Sequence, residues 1–386
     1  MLPDVLVVGA GIFGVSAALE LRRRGAEVTV IDPGPIPHPD ASSTDISKLI
    51  RLDYAADAFY VERMEAALER WRAMNDRFER PLFHETGLLV LSSAPMDAAS
   101  FEGASFACLG ERGHHLERLD AAAIADRAPA WRRGKFVDGY FNPQGGWAES
   151  GAVVRALTLE AERAGVTVRA GVRIRPIDGS GPVTSVRTEA GETLSASSIV
   201  IAAGAFTPVL VPELADRLAP IAQDVFHFAP GGPADYAGPR FLPWAADIAR
   251  AGWYGFPLHE GVVKIANHGP GRRVEPSAPR AVPPEREAVF RNFLKDSLPG
   301  LVGAPVVRTR VCLYCDTFDG DFLIDQHPAR PGLVVAAGGS GHAFKFATIL
   351  GEVIADAAAG ARREERLRFA WRERTSARLE AARSKT

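Results

Sequence analysis

Apolar and polar positions alternate along the chain with two periods, and the switches between them mark its elements. Val5 to Val8 are consecutive apolar residues, which predicts a buried strand, and apolar residues then recur at helical spacing to Arg24, where Gly25 stops the helix. Val28 to Ile31 predicts a second strand. After the Pro/Ser/Asp-rich loop that follows Asp32, residues 58 to 78 set Met64, Leu68, Trp71 and Phe78 near one stripe of an amphipathic helix, which predicts core packing rather than a site. Gly87 to Ser92 predicts a strand, 97 to 131 carries helical and turn signals, Gly139 to Gly146 is a turn cluster with aromatics, and 150 to 164 is a helix ended by Gly165. Val166 to Ala170 predicts a strand, with hairpin signals near Asp178–Gly179 and Ala190–Gly191. Ser197 to Gly204 reads as a central parallel strand whose end lies near a ligand.

From about Pro220 to Pro305 the character changes to aromatic and Pro/Gly-rich segments with short alternating strands, as in Gly252 to Pro257 and Gly261 to Asn267. A Pro-rich patch from Pro276 to Pro284 precedes a helix at Glu285 to Leu298. The chain then repeats its opening arrangement: strand Gly332 to Ala337, glycine turn Gly338 to Gly341, helix His342 to Ala358. These patterns predict an α/β protein, with a nucleotide-binding domain from 1–80, 142–219 and 306–386 and a mainly antiparallel capping domain from 81–141 and 220–305. The tail from Ala361 to Thr386, with nine Lys/Arg and four Glu, reads as a solvated helix, and nucleic-acid binding as a distant second.

Gly9, Gly11 and Gly14 follow the first strand at the spacing of the dinucleotide fingerprint, and Asp32 ends the second strand where a carboxylate accepts hydrogen bonds from ribose hydroxyls. The helix after Gly11 points unpaired N–H groups and a partial positive charge at the phosphates. The fingerprint alone does not separate FAD from NAD. The second strand, glycine turn and helix near the C-terminus aims a further helix N-terminus at the same crevice, which favours the longer cofactor, FAD.

Composition narrows this little. Hydrophobic content of 47% and charged content of 24% are those of a globular protein, and a net charge of −2 gives no field to draw nucleic acid or an anionic membrane. No apolar run approaches the length of a membrane helix and no signal peptide is read, while Cys108, Cys312 and Cys315 cannot form a disulfide framework; the expected location is the cytoplasm. Lys48 and Arg51, three apart in Ile46 to Arg51, would share one side of a helical turn, although their spacing alone fits two solvated surface charges. Lys264 alternates with Val262 and Ala266 on one strand face; the plain reading is a solvated lysine on a strand edge.

The segment GAGIFG with Asp32, the run from Arg310 to Pro328 and the run from Gly332 to Glu352 together resemble monomeric sarcosine oxidase and its relatives, the N-methyltryptophan, pipecolate, glycine and fructosyl-amino-acid oxidases (amadoriases). The resemblance implies a Rossmann-like FAD-binding domain with an antiparallel α+β substrate domain, of the glutathione-reductase/D-amino-acid-oxidase type, and a monomer acting on a small amino acid with O2. It implies cofactor contacts from Gly9, Gly11, Ile12, Phe13, Gly14, Asp32, Ser43, Ala203, Gly204, Gly339, Gly341, His342 and Lys345. It also implies a thioether from FAD to Cys312, with Cys315 as competitor and an inert buried cysteine as the plain reading. Lys264 matches the family lysine that activates oxygen, Arg51 and Lys345 match the pair that grips the substrate carboxylate, and Tyr254, His268 and Tyr314 match cavity-lining positions. Without the family, His268 reads as a structural histidine.

Departures from the family pattern bear on the substrate. Ser43–Thr44–Asp45–Ile46–Ser47–Lys48 stands where sarcosine oxidases carry His and Arg, and looks more like the amadoriases, so Lys48 joins the candidate catalytic set; Arg51 is of the sarcosine type. Phe318 and Gly320 replace the usual Pro and acid. The expected activity is an FAD-dependent oxidase of an N-substituted amino acid, giving an imine that hydrolyses to amine plus aldehyde or glyoxylate, with O2 reduced to hydrogen peroxide. The alternatives are a dehydrogenase using an electron-carrier protein and an NAD(P)H-reduced flavin monooxygenase or other non-amine flavoprotein.

Overall fold

A computed structural model describes residues 4–361 and 363–374. Its first sheet has six strands in the order Leu323–Gln326, Leu333–Ala337, Ser198–Ile201, Val5–Val8, Val28–Asp32 and Thr167–Ala170, parallel except for the first. Both faces of its central strands are covered, which explains the unbroken apolar runs. Val5 and Val7 face the core formed with helices Ile12–Arg23, Ser150–Arg163 and Ala347–Ala358, while Leu6 and Val8 face a second core with Ile174, Val186 and Leu214.

The fingerprint glycines work by contact. Gly9 adopts φ +103°, open to glycine and strained for other residues, and a Cβ on Gly14 would overlap the carbonyl oxygen of Gly9. Gly14→Ala is therefore expected to cost about 1–3 kcal/mol by overpacking where the helix meets the strand. Denaturant titration checks this, and an unchanged midpoint would show that the helix can shift freely.

A nine-stranded sheet forms the second layer. Its path is Arg272–Arg273, Leu218–Phe228, Val263–Asn267, Trp253–Gly255, Trp244–Ala246, Leu88–Ser92, Asp138–Asn142 and Glu117–Asp120, with the long strand Val306–Thr317 pairing Leu218–Phe228. Every pairing is antiparallel save that of Trp244–Ala246 with Leu88–Ser92. The long strand, which carries Cys312, thus belongs to the large sheet and not, as expected for 306–386, to the nucleotide-binding sheet, because its backbone groups pair with Leu218–Phe228.

Three local expectations are corrected. Ile46 to Arg51 is not a helical turn: Lys48–Ile50 is a strand pairing Gly146–Ala148, its backbone groups taken up by that ladder. Three apart on an extended chain, Lys48 and Arg51 project to opposite sides. The helix read from His342 begins at Ala347, after a 3-10 turn at Phe344–Phe346. There the Lys345 carbonyl accepts from Trp71 Nε1 (2.7 Å) instead of serving the helix. The described tail is not solvated: Phe369 is buried, Arg368 bridges Asp57 and Asp321, and Arg372 pairs with Asp319. Arg362 and residues 375–386 lie outside the described residues. Among the described residues no helix is long and apolar enough to cross a membrane.

Candidate active site

A cavity of about 400 Å³, within the range of ligand pockets, runs from the parallel sheet to the long antiparallel strand. Its lining includes Gly9, Gly11, Ile12, Phe13, Asp32, Ser43, Ala203, Gly204 and Gly339 on the side of the parallel sheet, with Gly339 beside the Phe13 ring, and Lys48, Cys312, Tyr314 and Gly341 towards the long strand. Helix Ile12–Arg23 opens there with Gly11 as its N-cap, no side-chain cap and no acid in its first turn. Ser43 Oγ accepts there from Ile12 N (3.2 Å). Uncapped N–H groups and the helix dipole make this end a receptor for an anion. Asp32 accepts from Ala10 N (2.9 Å) and Gly34 N (3.1 Å), which fixes its carboxylate at the cavity wall with lone pairs to spare. Gly14 does not line the cavity; it packs helix on strand.

At the other end, strand alternation separates the two cysteines. Both line the cavity, but Cys312 shares a face with Tyr314 and packs with Tyr254 and Ala266, whereas Cys315 joins the core under the parallel sheet, where burial pushes its thiol up to about 12. The buried Cys312 Sγ lies 3.8 Å from Lys48 Nζ. Tyr314 bonds Tyr254, whose hydroxyl burial pushes well up, and lies 3.4 Å from His268 Nδ1; its ring covers Gly341, where a side chain would collide. Among the described residues, Tyr254 and His268 thus reach the cavity through Tyr314.

Lys264 is not a solvated edge lysine. It is 1% exposed, on a strand covered on both sides; its ammonium pairs with Asp45 Oδ2 at 2.7 Å, donates to Ser47 O and sits 4.6 Å from the centre of the Phe256 ring. Burial pulls its pKa down to about 8, against the opposing charge of Asp45. Burial alone would raise the Asp45 carboxyl, but Lys264, the His227 imidazole 3.6 Å away and Lys48 hold it well below the usual range. Asp45 and His227, absent from the sequence-derived candidates, thus complete a dry charge cluster behind Lys48. Nothing in the local pattern points to His227; Asp45 lies inside the Ser43–Lys48 loop, but its partner stands 219 positions further along the chain, beyond the reach of any local pattern.

Arg51 and Lys345 meet in a second cluster beyond the cavity wall. Arg51 is 7% exposed, its guanidinium 5.2 Å from the Tyr54 ring centre and 5.6 Å from that of Phe101, and its Nη1 is buried without a hydrogen-bond partner among the described residues. Lys345 Nζ donates to Tyr54 Oη (2.8 Å) and His342 O (2.9 Å), and Tyr54 Oη lies 2.9 Å from His342 Nδ1. Tyr54 and Trp71 are therefore supports that pattern reading missed; Trp71, read as core, also holds the Lys345 backbone. Two buried cations, one with an open donor, form a receptor for a carboxylate.

A family model described as FAD dependent oxidoreductase matches residues 4–357. Monomeric sarcosine oxidase of Bacillus sp. (strain B-0618) is 29% identical over 362 residues, covering 92% of both chains. N-methyl-L-tryptophan oxidase of Salmonella heidelberg (strain SL476) is 30% identical over 363 residues, covering 92% of this chain and 95% of its own. The solved structure of the deglycating enzyme fructosamine oxidase (amadoriase II) from Aspergillus fumigatus has a TM-score of 0.84 at 28% identity, covering 96% of this chain and 89% of its own.

Proposed function

Because the chain belongs to the FAD dependent oxidoreductase family, we propose that it oxidises the secondary amine of an N-substituted amino acid, an N-substituted glycine being the simplest substrate. The observation that carries this reading is the Arg51 guanidinium, buried beside aromatic rings with an unpartnered Nη1. A donor left open in a dry site is costly unless a ligand satisfies it, and a planar fork suits a carboxylate. Lys345, anchored by Tyr54 and His342, adds a second positive charge to the same receptor.

The cavity suits FAD on its own features: an uncapped helix N-terminus behind Gly11, Ser43 beside it, and the Asp32 carboxylate held at the wall. When bound, FAD supplies a two-electron acceptor for the C–H next to the substrate nitrogen and, reoxidised by O2, yields hydrogen peroxide. The chain's own residues orient and sort charge. Arg51 and Lys345 fix the carboxylate, so the substrate C–N bond is held by position rather than by attack from a side chain. Lys264, dry and pinned by Asp45 and Ser47, offers a fixed cation to charge developing on oxygen. Cys312, buried beside Lys48 on the cavity wall, is the residue to which we assign covalent attachment. The imine product hydrolyses in water to an amine and an aldehyde or glyoxylate. The sarcosine, N-methyltryptophan and fructosamine oxidases named above support the secondary-amine class; the Asp45–Ile46–Ser47–Lys48 motif supports a group on nitrogen larger than methyl. We further propose that the protein acts as a monomer in the cytoplasm.

Denaturing electrophoresis under ultraviolet light, with anaerobic spectra during addition of sarcosine, iminodiacetate and fructosyl-glycine, tests this. Fluorescence is expected to migrate with the wild-type chain and to be lost from it in Cys312→Ala, and one of the amines is expected to bleach the yellow enzyme. Flavin freed from the wild type on denaturation would remove the Cys312 assignment. Bleaching by NADPH and by no amine would remove the amine-oxidase reading.

A further inference from the structure

Next to the carboxylate receptor the chain places an acid that the proposed reaction does not use. Asp53 is 1% exposed; its Oδ1 accepts from Tyr140 Oη, and its Oδ2 is buried with no hydrogen-bond partner among the described residues. The charges acting on it come from Arg51, two positions back, and Lys345 on the 3-10 turn. Tyr140, on the facing strand, is fully buried and also bonds Ser105, whose Oγ accepts from Ala55 N (2.8 Å). Ala55 has φ +51°, a left-handed conformation that bond helps to hold. The turn from Arg51 to Ala55 is thus tied through Asp53 and Ala55 to Tyr140 and Ser105.

We propose that Asp53 is the internal counter-ion of the substrate-carboxylate site, and that an anion binding on Arg51 and Lys345 does so with uptake of one proton by Asp53. This rests on the reading that those two cations receive the carboxylate. In the free enzyme two buried cations face one buried carboxylate. A ligand carboxylate brings a like charge into a site where Asp53 Oδ2 is buried and, among the described residues, has no donor. A second carboxylate raises the proton affinity of the first, and Asp53, buried with fewer donors than the ligand that Arg51 and Lys345 grip, is the one that takes the proton. The balance is ligand anion plus one solvent proton plus the ionised site, giving a complex in which Asp53 is a neutral acid. Burial already pushes the Asp53 carboxyl up, against the pull of Arg51, Tyr140 and Lys345, so its titration lies closer to neutrality than that of a free acid.

The probe is methoxyacetate, the ether counterpart of an N-methyl glycine, which keeps the carboxylate and has no amine to oxidise. Calorimetric titration of the holoenzyme in buffers of different ionisation enthalpy, from pH 5 to 9, counts the protons exchanged. Wild type is expected to take up as much as one proton per site, and within that window the Kd rises tenfold per pH unit. Asp53→Asn is expected to bind with no such uptake and a flat Kd. That separates Asp53 from Lys264, whose value near 8 also lies in this range. Tyr140→Phe removes a hydrogen bond to the ionised acid and is expected to move the uptake window to higher pH, a change that loss of packing alone would not produce. Wild-type binding without uptake anywhere in the range, or uptake that persists in Asp53→Asn, overturns the proposal. Binding that is the same in Arg51→Gln as in wild type overturns instead the carboxylate reading beneath it.

Discussion

Lys264→Met is expected to slow reoxidation of the substrate-reduced enzyme by O2 about 100- to 1,000-fold, the usual loss when one preorganised group is removed from developing charge. Reduction by the amine is expected to change only a few-fold, because Lys264 has no part in fixing the substrate carboxylate. Stopped-flow mixing of reduced enzyme with oxygenated buffer reads the first number, and anaerobic mixing with substrate reads the second. The wild-type pH profile checks the same assignment. Lys264 carries its charge below its value of about 8 and loses it above, so the oxygen step is expected to be fastest below pH 8 and to fall as pH rises through that value. The Met variant is expected to show no such fall. Stability moves the other way. An unfolded lysine stays charged to about 10.5 whereas the buried one gives up its proton near 8. The unfolded chain therefore binds more protons between these values, and this residue's contribution to stability rises with pH there.

The same substitution strands Asp45. Its side chain is 1% exposed and would keep His227, Lys48 and more distant Arg charges, and breaking a buried pair from one side costs about 3–5 kcal/mol. The informative control is Lys264→Met with Asp45→Asn, which removes both charges and is expected to recover much of the stability without the oxygen rate. Equal loss of both half-reactions in that double variant would mean that Lys264 is a structural ion, not an oxygen-site cation.

Sequence pattern made the opening unit legible because the physics there is local. Strand, glycine turn, helix and acid fall within Val5 to Asp32, and each glycine answers to a nearby clash or an exposed N–H group. The family resemblance carried by Arg310 to Pro328 and Gly332 to Glu352 is likewise borne out by relatives that match over nine-tenths of the chain. Pattern failed where partners are far apart. Lys48 and Arg51 look like a surface pair until Gly146–Ala148 makes a strand of Lys48–Ile50. Lys264 looks like an edge lysine until the flanking strands and Asp45 enclose it. Trp71 looks like pure core until its indole N–H is found on the Lys345 carbonyl. In each case the deciding neighbour arrives from another part of the chain, and no periodicity within one element encodes it.

Arg51→Gln is expected to lower kcat/KM for an N-substituted glycine about 30- to 5,000-fold, mostly through KM. Truncating one partner of a desolvated charge pair costs about 2–5 kcal/mol, and a glutamine amide keeps at most one of the fork's paired donors. Arg51→Lys is expected to recover only part, since a point charge cannot make two parallel bonds and would not lie flat between Tyr54 and Phe101. The sharper measurement compares each amino acid with its methyl ester. The ester has no charge for Arg51 to bind, so the ratio of acid to ester turnover is expected to collapse in Arg51→Gln while the ester rate itself moves little. General damage to the fold would depress both rates together. Loss of Arg51 also removes a cation facing Asp53, but that acid can take a proton and become neutral, which spares the variant the full cost of an unpaired buried charge. The variant is therefore expected to stay folded, and an unchanged acid-to-ester ratio would place the carboxylate elsewhere.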